Sequence, residues 1–281
     1  MIRLTELKLP LDHVSCDLDT LVYKRLALAP QDVTAITVFK RSIDARKAEL
    51  FFVYVVDVQL VEDKAQAALL GRLQADARVA ATPDMDYRLV VRATDDWPPV
   101  SALRPVVVGF GPCGMFVALL LAQMGLRPIV LERGRTVRQR TKDTWGLWRK
   151  GVLQSESNVQ FGEGGAGTFS DGKLWSQIKD PRYLGRKVMQ EFVRAGAPPE
   201  ILVDAHPHIG TFKLVKVVEH MREQVIALGG EIRFEHRLTD VGIESCPPDA
   251  QGRTRQLCSV TVRDAGNGSD YQLPEIGRAH V

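Results

Sequence analysis

Residues 106–114 read Val-Val-Val-Gly-Phe-Gly-Pro-Cys-Gly, with glycines at 109, 111 and 114 between an apolar run and an apolar helical segment. This GxGxxG spacing can bind a dinucleotide. Gly109 permits a tight turn, Gly111 lets the backbone approach a pyrophosphate, and Gly114 lets the helix close onto the strand. Pro112 and Cys113 begin that helix, whose free N–H groups and partial positive charge suit phosphate. The next apolar run, Pro128-Ile-Val-Leu-Glu132, ends in an acid 23 residues after Gly109. A carboxylate there accepts hydrogen bonds from ribose hydroxyls and repels a 2′-phosphate. Arg133 follows directly and could draw in the cofactor's phosphates. Together the strand, helix and spaced acid point to dinucleotide binding without separating FAD from NAD.

A second glycine cluster lies at 162–172, where Gly162, Gly164, Gly165, Gly167 and Gly172 fall within eleven residues. Thr168, Ser170, Asp171 and Lys173 are interleaved with them. Such a loop brings several backbone N–H groups near an anion or a flat ring, with hydroxyls and an ammonium alongside. Phe161, Phe169 and Trp175 set it apart from a flexible Ser/Gly linker. Lys173 is placed to stabilise negative charge on a reduced flavin. His208, beside Pro207 and His206, reads as a loop residue satisfied by backbone.

These segments need elements to position them. Residues 1–92 predict strand 2–8, helix 17–28, strand 35–42, strand 49–60, helix 62–75 and strand 87–92, the βαββαβ order of a ferredoxin-like unit. A proline-containing linker is expected at 96–104. Beyond it come strand 105–109, helix 112–125, strand 128–132 and a basic helix over 135–150. Helices at about 181–195 and 211–228 follow, then strands near 231–236 and 256–263. The fold class expected is α/β: a Rossmann-like FAD/NAD(P)-binding domain over 105–274, preceded by a small ferredoxin-like domain over 1–95. In the basic helix, Val137, Trp145 and Trp148 are expected to turn inward from a solvated face.

Several runs are similar to those of a known family, the uncharacterised FAD-dependent dehydrogenases of the glutathione-reductase-like flavoprotein superfamily. They are Lys40–Arg46, Gly109–Phe116, Glu132–Gly134, Arg140–Asp143, Ser157–Leu174 and His208–Thr211. The resemblance implies FAD bound extended, with Glu132 on the ribose and the 162–173 loop toward the pyrophosphate and isoalloxazine. It implies that the strand Arg233–Asp240 passes near the adenine. Members of that family normally continue well past residue 281, so the chain reads as C-terminally truncated, with 275–281 a non-native tail. NAD(P)H is a candidate electron donor, although no second GxGxxG is visible. No catalytic residue is named, because the substrate-facing groups of such proteins often lie further along the chain.

Composition narrows the alternatives. The chain has 281 residues, 45% apolar and 25% charged, and a net charge of +3, which excludes global disorder and gives no general argument for a nucleic-acid or membrane partner. Thirteen basic and fifteen acidic residues precede residue 101; seven basic residues and one acid crowd Arg133–Lys150. The four cysteines form no CxxC pair and no metal-ligand spacing, and no signal peptide is visible, so a cytoplasmic setting is the default. Pro105–Leu126 carries no charge over 22 residues but holds four glycines and two prolines, which reads as strand, turn and helix rather than a membrane span. Phe51-Phe-Val-Tyr54 matches part of the aromatic signature of an RNA-recognition sheet. Core aromatics in a net acidic domain are the simpler reading. The alternative to a flavin enzyme is a non-catalytic dinucleotide-binding or RNA-associated adaptor.

Overall fold

The computed structural model describes residues 1–46, 48–94, 97, 103–248 and 252–274. The chain is mixed α/β and divides into two compact units. The expected tail at 275–281 and most of the expected linker at 96–104 lie outside the described residues.

The first unit comprises 1–87, 173–193 and 198–208. Its elements run β1 (Ile2–Pro10), α1 (Ser15–Leu26), β2 (Val33–Asp44), β3 (Phe51–Leu60), α2 (Asp63–Arg72) and β4 (Val79–Ala81). The four strands pair antiparallel in the order β2-β3-β1-β4. One face is apolar because alternate residues of β3 (Tyr54, Val56, Val58, Leu60) join Ile2 and Leu4 of β1. Leu18, Val22 and Leu26, spaced four apart, bring one stripe of α1 onto that face, and Leu69 does so for α2. Tyr54 is therefore buried in the core, and Phe52 packs against it.

The sheet's other face carries charge. Arg3 and Asp57 are directly opposed across β1 and β3 and form a buried two-pronged pair, both distances 2.8 Å. Thr82 donates to the same carboxylate at 2.9 Å. The later segment of this unit pairs with the free edge of β2. Arg41 N–H donates to Val203 C=O at 2.7 Å, and Ala205 N–H donates to Arg41 C=O at 2.9 Å. The fourth strand was expected at 87–92. It lies instead at Val79–Ala81, and 87–92 is irregular, because only the earlier run reaches β1.

The second unit comprises 88–172, 194–197 and residues from 209 onward. Strands β5 (Val106–Val108), β6 (Ile129–Glu132) and β7 (Glu231–Phe234) form a parallel sheet in that order. Helix α3 (Pro112–Gln123) crosses from β5 to β6. Next come α4 (Val137–Lys150) and α6 (Thr211–Ala227), which packs against α3; α5 (Leu184–Arg194), between them in sequence, falls in the first unit up to Val193. Ile129 and Leu131 bury one face of the sheet against Val260 and Val262 of a second, antiparallel sheet. That sheet consists of β8 (His236–Ser245), β9 (Arg255–Asp264) and β10 (Asp270–Pro274).

The span 233–240 is not one strand. Glu235 adopts φ 60°, a left-handed value that few side chains tolerate, and the chain leaves the parallel sheet there to begin β8. In α4 the tryptophans do not turn inward as expected. Trp145 is 45% and Trp148 58% exposed, stacked edge to face at 5.9 Å. The inner stripe is Val137, Arg140 and Thr144. Among the described residues no helix is long and apolar enough to cross a membrane.

Leu26 is fully buried at the end of α1's inner stripe. Leu26→Ala is expected to cost about 2–5 kcal/mol, through lost burial and a residual cavity. Urea unfolding followed by circular dichroism checks this.

Candidate dinucleotide site

The turn after β5 is a backbone construction. Gly109 takes φ 88°, and its N–H donates to Leu131 C=O of β6 at 2.8 Å. A Cβ on Gly114 would overlap the carbonyl oxygen of Gly109, so only glycine lets α3 begin this close to the strand. Gly111 is the N-cap, Pro112 occupies the first turn, and no acidic residue or side-chain cap covers the helix start. Its backbone donors are left for another acceptor, which is the condition an anion site requires. Cys113 is exposed, and its thiol is free.

Glu132 is 4% exposed at the end of β6. Its Oε2 accepts the N–H of Phe110 at 2.7 Å, and its Oε1 accepts the N–H of Gly134 at 2.8 Å. Each oxygen keeps lone-pair capacity for a further donor such as a ribose hydroxyl. Arg133 pairs with Glu156 at 2.6 Å and lies 4.0 Å over the ring of Phe161.

The second glycine loop is laid against the first turn. Gly164 N–H donates to Phe110 C=O at 2.9 Å. A Cβ on Gly165 (φ 63°) would stand 3.0 Å from Cδ of Pro112 and 3.3 Å from Cα of Gly111. Gly162 approaches Gly134 so closely that a Cβ on Gly134 would overlap it. Thr168 is buried in a 3-10 turn at Ala166–Phe169, and Gly167 has open space in front of it. Ser170 Oγ donates to Gly167 C=O at 2.7 Å and accepts from Gly172 N–H at 3.1 Å. Asp171 C=O accepts the N–H of Gly210 at 2.8 Å. Gly109, Gly111, Pro112, Gly114, Glu132, Gly162, Gly164 and Gly165 thus share one cluster. Lys173 belongs to the first unit, in an isolated antiparallel bridge with His208.

What holds this loop leaves little sign in the local sequence. Arg140 is fully buried and donates to four carbonyls: Asn158 at 2.7 Å, Val159 at 2.6 Å, Glu163 at 2.7 Å and Gly165 at 2.8 Å. Burial pushes its guanidinium down to about 10, opposed by the charges of Glu132 and Glu163. Glu163, also fully buried, accepts the N–H of Val137 at 2.6 Å and pairs with Arg222 at 2.8 Å. Burial pushes its carboxyl up to about 7, against the pull of the Val137 N–H and Arg222. A charged residue inside a glycine run was the available signal for Glu163. Arg222, 59 residues away, left no local trace. Among the described residues no cluster of His, Cys, Asp or Glu could hold a metal.

Residues 1–59 match the model of a domain of unknown function, DUF8436. A protein described as uncharacterized, from Clostridium beijerinckii, is 41% identical over 286 residues, covering 100% of this chain and 51% of the relative. The chain therefore spans about half the length of the curated relative it matches. Among solved structures, Thermovibrio ammonificans THI4 aligns at 13% identity and TM-score 0.38, over 61% of this chain and 54% of that one. The 3-ketosteroid-delta4-(5alpha)-dehydrogenase of Rhodococcus jostii RHA1 aligns at 13% and 0.34, over 66% and 46%. A ternary complex of aklavinone-11 hydroxylase with FAD and aklavinone aligns at 20% and 0.27, over 61% and 31%. Overlaps of this size do not define a common fold.

Arg140→Met leaves four carbonyl oxygens, one buried and three half-buried, without their donor. It is expected to lower stability by about 3 kcal/mol or more and to open 158–168 to limited proteolysis. Glu163 has a second signature. Its folded value, about 7, lies above its ordinary 4.5, so the folded chain holds that proton more tightly. Its contribution is full below 4.5 and is lost as pH rises through about 7. Glu163→Gln should flatten that stretch of the stability–pH curve.

Proposed function

We propose that the chain is the dinucleotide-binding part of an FAD-dependent oxidoreductase, with a Rossmann-like unit following a ferredoxin-like one. The observation that carries this reading is the seating of the 162–167 loop on the Gly109–Gly114 turn, beside the uncapped start of α3. A solitary glycine turn serves any dinucleotide. A second glycine loop fixed against it leaves open space beside Gly167 for a flat ring.

The residues fit the group. The α3 N-terminus and Gly111 would hold the pyrophosphate, and Glu132 the adenosine ribose. The Gly164–Ser170 loop would lie toward the ring system. Arg133 adds positive charge near the phosphates, though Glu156 already engages it. FAD, when bound, supplies the hydride and electron chemistry. The protein's part is to bind and orient: Glu132 holds the turn and the segment after β6 together, and Arg140 fixes the carbonyls of the second loop. A dehydrogenase-type reaction is the reading adopted from the family resemblance, with NAD(P)H as a candidate donor and the cytoplasm as its setting.

Gly111 allows a discriminating test. Its φ is −75°, and a Cβ there meets nothing closer than 3.8 Å, so alanine fits the protein itself. Gly111→Ala should leave the thermal midpoint unchanged yet weaken dinucleotide binding at least about tenfold, roughly 1.4 kcal/mol, by obstructing the pyrophosphate. An unchanged affinity contradicts the placement. Purified wild-type chain should also show flavin absorbance near about 450 nm that bleaches on reduction with dithionite. A colourless chain that takes up NAD but not FAD supports the adaptor alternative.

A further inference from the structure

An open surface pocket lies within the first unit. It has a volume of about 260 Å³; Phe39, Tyr183, Met189, Leu202 and Val203 give it an apolar lining, and Lys40, Arg186, Asp180 and Asp204 line it with charge. The wall residues come from the edge strand β2, the start of α5 and the segment paired to β2 at Arg41.

The charges around this space are unevenly committed. Asp204 is taken by Arg41, at 2.7 and 3.1 Å. Asp180 accepts the N–H groups of Leu184 at 3.0 Å and Gly185 at 2.7 Å, so its charge serves the start of α5. Asp57 is taken by Arg3. Arg186 has no such partner. It donates to the carbonyl of Leu202 and lies 5.4 Å over the ring of Phe39, whose ring also carries Arg3 at 3.7 Å. Among the described residues no carboxylate stands within ion-pair distance of Arg186. Burial, and then the nearby Arg3, lower its hold on its proton, while the charge of Asp57 opposes them. With no carboxylate among the described residues bonded to the guanidinium directly, its fork keeps donors for a further acceptor. Tyr183, which closes one wall, sits at φ 55°, a value rarely adopted by a side chain of that size. Its ring meets Phe39 edge-on at 6.5 Å.

We infer that this cavity binds a small monocarboxylate with an apolar body about one ring in size, the carboxylate on Arg186 and the body against Phe39, Tyr183, Met189 and Leu202. The guanidinium presents a planar fork matched to a carboxylate, and only one of its N–H groups is engaged by Leu202. The volume lies below the roughly 300–1,000 Å³ typical of sites for drug-sized molecules, which favours a small body. Apolar walls disfavour a strongly hydrated ion such as phosphate. This inference is independent of the dinucleotide reading.

The test is calorimetric titration of the full chain at fixed ionic strength with benzoate, cyclohexanecarboxylate, benzyl alcohol and inorganic phosphate. Both carboxylates should bind saturably, with benzyl alcohol and phosphate at least tenfold weaker. Arg186→Met should weaken benzoate at least tenfold and Arg186→Lys by less. Met189→Trp, which fills the cavity and leaves Arg186 in place, should also abolish binding; it keeps the test decisive if the arginine variant fails to fold. Circular dichroism and thermal midpoints establish which variants fold. The inference is overturned if benzoate gives no saturable heat. It is equally overturned if phosphate matches benzoate, or if a folded Arg186→Met or Met189→Trp chain binds benzoate as the wild type does.

Discussion

The second unit is organised around a buried carboxylate that must be satisfied. Glu132 sits at the end of a fully buried strand, out of reach of bulk water, so its two oxygens have to find donors. They find the N–H of Phe110 in the turn before α3 and the N–H of Gly134 in the segment after β6. One side chain thereby fixes the spacing between the glycine turn and the strand that follows it. Gly134 in turn packs on Gly162, which carries the constraint into the second glycine loop. A complementary demand comes from Arg140. A buried guanidinium needs acceptors, and it takes them from the carbonyls of that loop. The loop is rich in glycine yet fixed in place, because its carbonyls answer a cation and its Cα atoms sit where side chains would collide.

Much of this was legible from local sequence. Each glycine of 109–114 is dictated by its own turn or by atoms a few residues away, so spacing alone locates the turn, the helix start and the acid at 132. The partners of the second loop were not legible. Arg140 is one of seven basic residues crowded into 133–150 and shows no pattern that separates a buried guanidinium from a solvated one. Its neighbours Trp145 and Trp148 gave the opposite impression, since large aromatic residues normally turn inward. The helix instead buries Val137, Arg140 and Thr144, and Arg140 is accommodated there because the loop offers it carbonyls. The two tryptophans meet edge to face, Trp145 also carries Arg149, and Trp148 meets Phe169 edge-on.

The first unit shows the same division. Helices and strands 1–60 were readable because α1 and β3 repeat apolar residues at helical and strand periods. The last strand was misplaced, because Val79–Ala81 is only three residues long and its role rests on pairing with β1, some 75 residues earlier. Nor does alternation reveal that the polar face of this sheet is enclosed. Arg3 and Asp57 are polar residues at alternating positions, the usual mark of a wet face, yet both are buried. Thr82 and Met85, 25 or more residues beyond Asp57, bond to the pair, and Arg3 lies over the ring of Phe39. Likewise, β8 and β10 become strands only through β9, and Glu235 provides the break that separates β8 from the parallel sheet.

The central claim, that Glu132 and the two glycine loops together hold a dinucleotide carrying a flavin, is tested most directly by comparing FAD with FMN. The two ligands share the ring system, but only FAD has the second phosphate and the adenosine ribose that Glu132 and the α3 N-terminus would engage. Equilibrium dialysis of the purified chain against each should show FAD bound saturably at one per chain and FMN bound at least tenfold more weakly, about 1.4 kcal/mol. Equal retention of the two, or retention of neither, would contradict the account.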